Sequence, residues 1–541
     1  MISVNYKTDD YYAIYGIRHF FDKYGLCTMA NGRGGKINIA YGKSPKKKNG
    51  FSIVVMENEI KRKLTGWVIT KDGYKIPAFE KPISLESNNS GYIFKDGNKS
   101  HGFIGQTDDC IVIGFDVFKE IGFVLSGEFE VIVNSLDDRL KRDILAIPFV
   151  EFYEKILFDQ ILIAANKLGL PLVQKSFWPH GKPFSVCLTH DVDEIKKSVH
   201  YVTNSLRCLK KRDLRNLSKQ FRSIAQKMRG CEPFWTFEKL MALEDKYDAK
   251  STLFFLQEDA KISLTKPKTW RHYPRKYDIK DPKVSSLIKE MDAKGWEIGL
   301  HGSYYSYNNP VKLRNEKRKL ENIIGGKIYG IRQHNLNLEI PKTWRYQEDV
   351  SLEYDTTLGS NYFPSYRFGT SFPFRPLDIE RGKMMSLLEI PIIMEDTASL
   401  PKNVKNWEFF KRFIDLSEEF GGLLTVLWHH SVFNEHDFPG WGDVYEKITK
   451  VSKERGAWIT NCREICDWWK RREKSKISCD FSGGRLVIKA SPAGQEHFVK
   501  IIGTCKKKTD ITGCKILRRD ENSITIKMLS RAEISWCENG R

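Results

Sequence analysis

The sequence predicts an α/β protein with a distorted parallel barrel at its centre. An N-terminal α/β or β-rich accessory domain and a small C-terminal β domain are expected on either side. Three observations carry this reading. Between residues 181 and 470, short and nearly continuous apolar runs alternate with polar or helical sequence, the pattern of a parallel sheet covered on both faces. The flanking regions lack that alternation. At 541 residues, with 41% hydrophobic and 12% aromatic content, the chain is too long for one ordinary core yet has ordinary globular composition.

Residues 1–146 mix alternating apolar runs at 51–55 and 110–115 with Gly, Asn and Lys turns, and carry no recognisable constellation of chemical residues. Residues 147–180 read as a helical connector, its amphipathic stretch 147–169 stopped by Gly169 and Pro171. The barrel is expected over 181–470. Its apolar runs lie at 184–188, 251–256, 297–300, 328–331, 387–392 and 423–428, and one clear helix, 311–324, carries Leu313, Lys317, Leu320 and Ile324 at helical spacing. Residues 471–541 become Lys-rich, with strand-like segments at 485–488 and 523–526 and a net charge of +8.

Several classes are excluded. No apolar run approaches the roughly 20 residues that span a bilayer, so no transmembrane segment is expected. The N-terminus shows no basic region leading into an apolar one, so the expectation is a soluble, cytoplasmic protein. The eleven cysteines are scattered, and the nearest pair, Cys462 and Cys466, has no second pair at zinc-ribbon spacing; reduced, mostly buried thiols are expected. The net charge of +20 is concentrated: residues 195–230 hold eleven Lys or Arg against the single acid Asp213, a local +10. Aromatic interleaving there is thin, with only Tyr201 and Phe221, so specific nucleic-acid binding is not expected. The block reads as a solvated basic helix, or as a peripheral contact with an anionic membrane or other polyanion.

The polar residues at the ends of the apolar runs are not random. His190, Asp191 and Asp193 follow the first, His301 the third, Arg332 and His334 the fourth, and His429 and His430 the last. In closed parallel barrels chemistry gathers at the C-terminal ends of strands, so these side chains would converge on one mouth. Histidine and carboxylate ligands suit Zn²⁺ or another borderline divalent ion with an open position for water and substrate.

The same residues resemble the polysaccharide deacetylase family, the NodB-homology carbohydrate esterases, over about 290 residues from Phe184 to Trp469. Thr189-His190-Asp191-Val192-Asp193 is similar to the Asp-x-Asp form of the family's first motif, which implies Asp191 as general base and Asp193 as metal ligand. Glu297-Ile298-Gly299-Leu300-His301 is similar to the strand that bears the family's histidine pair, but Tyr305 stands where the second histidine of that pair belongs. His334, in Gly330-Ile331-Arg332-Gln333-His334, is the candidate replacement ligand, with His190 a second one; Arg332 matches the arginine that orients the base. Val426-Leu427-Trp428-His429 resembles the strand ending in the histidine general acid, with His430 as alternative, and the stretch from Ile390 to Asp396 sits at the place of the looser fourth motif. Tyr304, Tyr305, Trp428 and His430 are the candidate substrate contacts, and 354–359 with 368–371 resemble a substrate-side loop.

The resemblance implies a (β/α)7-type barrel and a divalent cofactor, Zn²⁺ before Co²⁺, Ni²⁺ or Mn²⁺. It also implies removal of N-acetyl or O-acetyl groups from a carbohydrate, such as a surface-polysaccharide or glycolipid precursor, with a backbone N–H near Tyr304 as oxyanion donor. The rival readings are a non-catalytic glycan-binding or scaffold barrel, and hydrolysis of another non-peptide C–N bond.

Overall fold

The structure, a computed structural model, describes residues 2–28, 35–42, 50–85, 91–198, 200–210, 212–259, 265, 275, 277–503 and 510–535. In the N-terminal region the strands Ile2–Asn5, Ile37–Tyr41, Phe51–Val55 and Cys110–Ile113 form a parallel sheet, with Ile104–Gln106 antiparallel at its edge. Its four parallel members are almost entirely buried at their centres, because the helices Tyr11–Tyr24, Val117–Leu125 and Phe149–Lys167 cover it. A four-stranded antiparallel sheet, Lys75–Ala78, Gly66–Thr70, Tyr92–Asp96 and Lys99–His101, completes an α/β unit.

The helix Phe149–Lys167 is buried over most of its surface, the polar Glu151, Glu154 and Gln160 included. It is clasped between the N-terminal sheet and the barrel rather than spanning solvent. Val150 N donates to Gly369 O (2.8 Å), and Glu151 Oε1 accepts from Thr370 Oγ1 and Ser371 N, each at 2.9 Å. The segment 368–371, read from its sequence as a substrate-side loop, is therefore an inter-domain seam. Past the helix, Leu172–Lys175 pairs antiparallel with His497–Ile502 and joins the C-terminal sheet. That sheet runs on through Ser523–Ser535, Arg485–Ser491 and Lys476–Ser482, with Ile511–Asp520 also on Ser523–Ser535.

The centre is the barrel. Its strands are β1 Ser185–Val192, β2 Thr252–Leu256, β3 Glu297–Gly302, β4 Gly330–Gln333, β5 Tyr354–Asp355, β6 Leu388–Glu389, β7 Met394–Glu395, β8 Leu423–Leu427 and β9 Trp458–Thr460. They lie in the order β6-β5-β4-β3-β2-β1-β8-β7, every pairing parallel, with β9 against the first residues of β1. Strands β6 and β7 are the two ends of one segment, 388–395. Ile390 N and Ile392 N bond to Asp355 O and Leu358 O at 2.8 Å, while Ile393 N turns to Thr425 O at 3.1 Å. One stretch of chain thus touches both edges and closes a ring of seven crossings, the distorted (β/α)7-type barrel that the sequence predicts. Close approach sets a glycine here: a Cβ on Gly330 would run into the Tyr354 ring of the adjacent strand.

Arg472, near the end of the helix Cys462–Lys474, joins the three parts of the molecule. Its guanidinium is buried and donates to Ser176 O (2.9 Å), Asp22 O (2.8 Å), Lys175 O (3.3 Å) and Lys23 O. Asp22 and Lys23 lie in the last turn of the helix Tyr11–Tyr24, whose terminal carbonyls have no partner inside the helix. Arg472→Ala leaves these carbonyls buried and unpaired and should lower unfolding free energy by roughly 2–4 kcal/mol. Arg472→Lys should restore only part, because an ammonium cannot reproduce the fork. Denaturant unfolding monitored by tryptophan fluorescence checks both, and an unchanged midpoint for Arg472→Ala refutes this role.

Candidate active site

Strand pleat decides which residues of Thr189-His190-Asp191-Val192-Asp193 face the mouth. Successive side chains on β1 alternate, so Asp191 and Asp193 share one face and His190 takes the other. His190 is held outside the ring: its Nε2 lies 2.9 Å from Glu244 Oε1 and 3.1 Å from Tyr445 Oη, and its Nδ1 lies 2.6 Å from Trp428 O. It is a wall residue, not a ligand.

Asp191 is 4% exposed and its Oδ1 accepts from Arg332 Nη1 at 2.8 Å. Arg332, at the end of β4, is wholly buried, and its other donors go to Thr356 O (2.9 Å) and Thr356 Oγ1 (3.2 Å). Burial alone would raise the Asp191 carboxyl, but the Arg332 charge, with His301 and His429 behind it, outweighs burial and holds it below the usual carboxylate range.

Beside this pair three donor atoms converge. Asp193 Oδ1 lies 3.0 Å from His301 Nε2 and 3.3 Å from His334 Nδ1, and the two imidazole nitrogens are 3.2 Å apart. A cation about 2.0–2.2 Å from each of three such donors requires separations of about 3.0–3.5 Å between them, so the triangle fits. Asp193 Oδ1 makes no hydrogen bond despite these neighbours, as expected of an oxygen whose partner is a shared cation. His301 Nδ1 sits 2.9 Å from Arg332 O, which aims Nε2 inward. His334 enters from the next strand end on a tight turn in which Asn335 and Leu336 both have positive φ, 55° and 52°. A leucine there is uncommon, and such strain gathers at functional sites. Asp193, His301 and His334 together could hold a metal ion.

Facing them, His429 Nδ1 lies 2.9 Å from Asp396 Oδ1, and the His429 backbone N–H donates to Asp396 Oδ2 at 2.7 Å. The carboxylate fixes the Nδ1–H tautomer and leaves Nε2 toward Asp193 Oδ2, 3.9 Å away. Burial works against the imidazolium, but Asp396 and then the two site aspartates overcome it and raise His429 well above its usual range. Glu395, Asp396 and His429 also form a cluster of potential ligands. Both Asp396 oxygens are already engaged by His429, so this cluster is an oriented acid–base pair.

Other expectations are corrected. Trp428 is fully buried, with its indole N–H donated to Trp441 O at 3.2 Å; it precedes His429 on an alternating strand end and so faces the wall, not substrate. His430 is buried too, its ring stacked on Phe237 at 4.5 Å and its pKa pushed by burial down to about 4. A neutral, enclosed imidazole is neither a substrate contact nor a general acid. Tyr304 and Tyr305 pack edge to face at the rim, with Tyr305 exposed. The Tyr304 amide donates to Glu258 Oε2 (3.1 Å) and the Ser303 amide to Glu316 Oε2 (3.2 Å), so both are already used and neither is a free oxyanion donor. Neither tyrosine lines the cavity of about 420 Å³ that opens beside the site, whose walls include Asp193, His429, His200, Asn204, Arg207 and Cys208. Arg275, whose Nε is 3.7 Å from Asp193 Oδ2, was not singled out by sequence, while Asp396 was placed only as the end of the looser fourth motif and Thr356 only within the 354–359 loop, neither with a role of its own. Asp396 had a readable signal: with Glu395 it forms an acidic pair directly after the apolar run Ile392-Ile393-Met394.

No protein-family model matches the chain, and no curated protein matches it. Solved structures do. Among 27 matching chains is one from Mycobacterium smegmatis assigned as a polysaccharide deacetylase, at 17% identity and a TM-score of 0.37, over 55% of this chain and 93% of that one. One from Pseudomonas aeruginosa PAO1, also assigned as a polysaccharide deacetylase, shows 14% identity and a TM-score of 0.37 over 55% and 94%. An allantoinase shows 14% and 0.37 over 55% and 93%. Likenesses this distant do not establish an activity, which has to rest on the side chains themselves.

The geometry places His334 where it could serve as a third donor beside Asp193 and His301, and Tyr305 is not among the three. His334→Ala and His301→Ala should each weaken Co²⁺ binding by at least about 100-fold, beyond what loss of a residue one shell out costs, whereas Tyr305→Ala should leave it unchanged. Competition against a chromophoric chelator measures this. Undiminished affinity in His334→Ala would exclude it as a ligand.

Proposed function

We propose that this chain is a metal-dependent hydrolase that removes N-acetyl or O-acetyl groups from a carbohydrate, with Zn²⁺ as the resident ion and Co²⁺, Ni²⁺ or Mn²⁺ as substitutes. The observation that carries the reading is a buried, Arg332-paired carboxylate and an Asp396-paired histidine on opposite sides of a three-donor set. Asp193, His301 and His334 would hold a divalent ion, and the chemistry it would supply there is Lewis acidity toward a water and an acyl carbonyl. Asp191 accepts the proton of the attacking water. Its ionised form is maintained by Arg332, whose other donors are fixed on Thr356 and cannot swing away. His429, held protonated and aimed by Asp396, delivers a proton from Nε2 to the departing amine or alkoxide. The substrate class proposed is a cytoplasmic precursor of a surface polysaccharide or glycolipid.

Asp191→Asn should reduce acetate release by at least about 100-fold while metal content stays at wild-type level. Asp396→Asn should lower kcat about 10- to 1000-fold with KM and metal content unchanged, because His429 loses its orientation but no ligand or contact is removed. The assay is acetate release from N-acetylated sugar nucleotides and lipid-linked sugars, with and without added metal, and with a cyclic amide as a further arm. Full turnover in Asp191→Asn would overturn the mechanism. Ring opening of the cyclic amide without acetate release would assign a different C–N bond. Less than about one tenth of an equivalent of metal together with no turnover would assign a non-catalytic glycan-binding barrel.

A further inference from the structure

Of the three helices between β1 and β2, His200–Lys210 and Leu214–Met228 pack on each other as a hairpin. Of the large apolar side chains exposed among the described residues, six crowd onto this hairpin: Val202, Leu206, Leu209, Leu214, Phe221 and Met228, each between 55% and 84% exposed. Their spacing is not scattered. Val202, Leu206 and Leu209 fall at i, i+4 and i+7, and Leu214, Phe221 and Met228 at i, i+7 and i+14, so each helix shows one apolar stripe to the outside.

On the first helix the opposite side does different work. His200, Asn204, Arg207 and Cys208, about half a turn away from the stripe, line the cavity beside Asp193 and His429. The hairpin is anchored to the loop that follows His429. Lys197, fully buried, bonds to Asp437 Oδ2 (2.8 Å), Gln220 Oε1 (2.8 Å) and Ser223 Oγ (2.9 Å), and Asp437 also accepts from Gln220 Nε2 (2.9 Å) and Asn204 Nδ2 (3.3 Å). The stripe and the cavity therefore stand in a fixed relation, back to back on one helix.

We propose that this hairpin docks on an anionic lipid bilayer, with the apolar stripes at the level of the headgroups and the cavity on the side of the first helix turned away from them. Three features select this occupant. The stripes are bordered by exposed Lys210, Arg212, Arg222, Lys227 and Arg229, complementary to anionic headgroups. A basic amphipathic helix with isolated large apolar residues lies in the interfacial plane. Among the described residues no helix is long and apolar enough to cross a membrane. The docking stands apart from the hydrolase reading.

The test uses the full chain and sedimentation with vesicles of phosphatidylcholine alone or mixed with phosphatidylglycerol. Binding to the mixed vesicles should be at least about tenfold stronger and should weaken with salt. Leu206→Asp with Phe221→Asp, and separately Lys210→Glu with Arg222→Glu, should each abolish it; all four side chains are exposed and outside the active site, so unfolding midpoint and turnover of a soluble substrate should match wild type. The proposal is overturned by no sedimentation with phosphatidylglycerol, by binding that the apolar pair leaves untouched while soluble heparin competes it away (general polyanion attraction), or by a lipid-independent dimer in size exclusion that the apolar pair dissolves. Loss of vesicle binding with hydrolysis intact, or the reverse, separates this proposal from the proposed activity.

Discussion

Arg332 is a guanidinium with no access to water, and a buried cation of this kind persists only if every donor is met and a counter-charge lies within reach. Asp191 supplies the charge and Thr356 takes the remaining donors. Removing either charged partner strands the other, a loss of the order of 3–5 kcal/mol for buried pairs. The pair also spans the barrel's interior, from β1 to β4. The orientation of the carboxylate and the lowered pKa of Asp191 follow from where that one side chain is pinned, and the backbone carbonyl of the same residue turns His301 inward. Stability and chemistry draw here on the same contact, and neither could be altered alone.

Much of this was legible because a strand buried on both faces must be apolar throughout, and a run such as 251–256 announces itself. The polar residues that end such runs then stand out, and Asp191, Asp193, His301, Arg332, His334 and His429 do meet at one mouth. What escaped notice had physical reasons. Strand β5 is two residues long, too short to show any periodicity. Orientation at a strand end turns on a single residue, so Trp428 and His430 could not be separated from His429 by composition. Asp396 acts through another side chain and needs no particular spacing from it. The bonds of Glu151 to residues 370 and 371 join positions some 220 apart, and no local pattern foretells them.

The flanking regions are not loosely tethered passengers. The chain passes from the N-terminal sheet through Phe149–Lys167, lends Leu172–Lys175 to the C-terminal sheet, and only then enters β1. Arg472 gathers carbonyls from both sides of that path. Cooperative unfolding of the whole is the natural result of such interleaving, since no part can leave without exposing polar atoms that it shares with another.

The origin of the three donors carries a last consequence. A histidine pair on a single segment is a local chelator and keeps some grip on a metal when the chain around it loosens. Here Asp193, His301 and His334 come from beyond β1, from β3 and from beyond β4, and they meet only while the register Leu300↔Ile331, His301↔Arg332 is intact. A slip of one residue would turn the donors to the other face. The unfolded chain has no pre-assembled site to compete for the ion, so ligand binding is linked to folding at nearly full strength. Were an ion bound there, the protein would resist unfolding in proportion to the logarithm of free metal, and chelation would take away only that added stability.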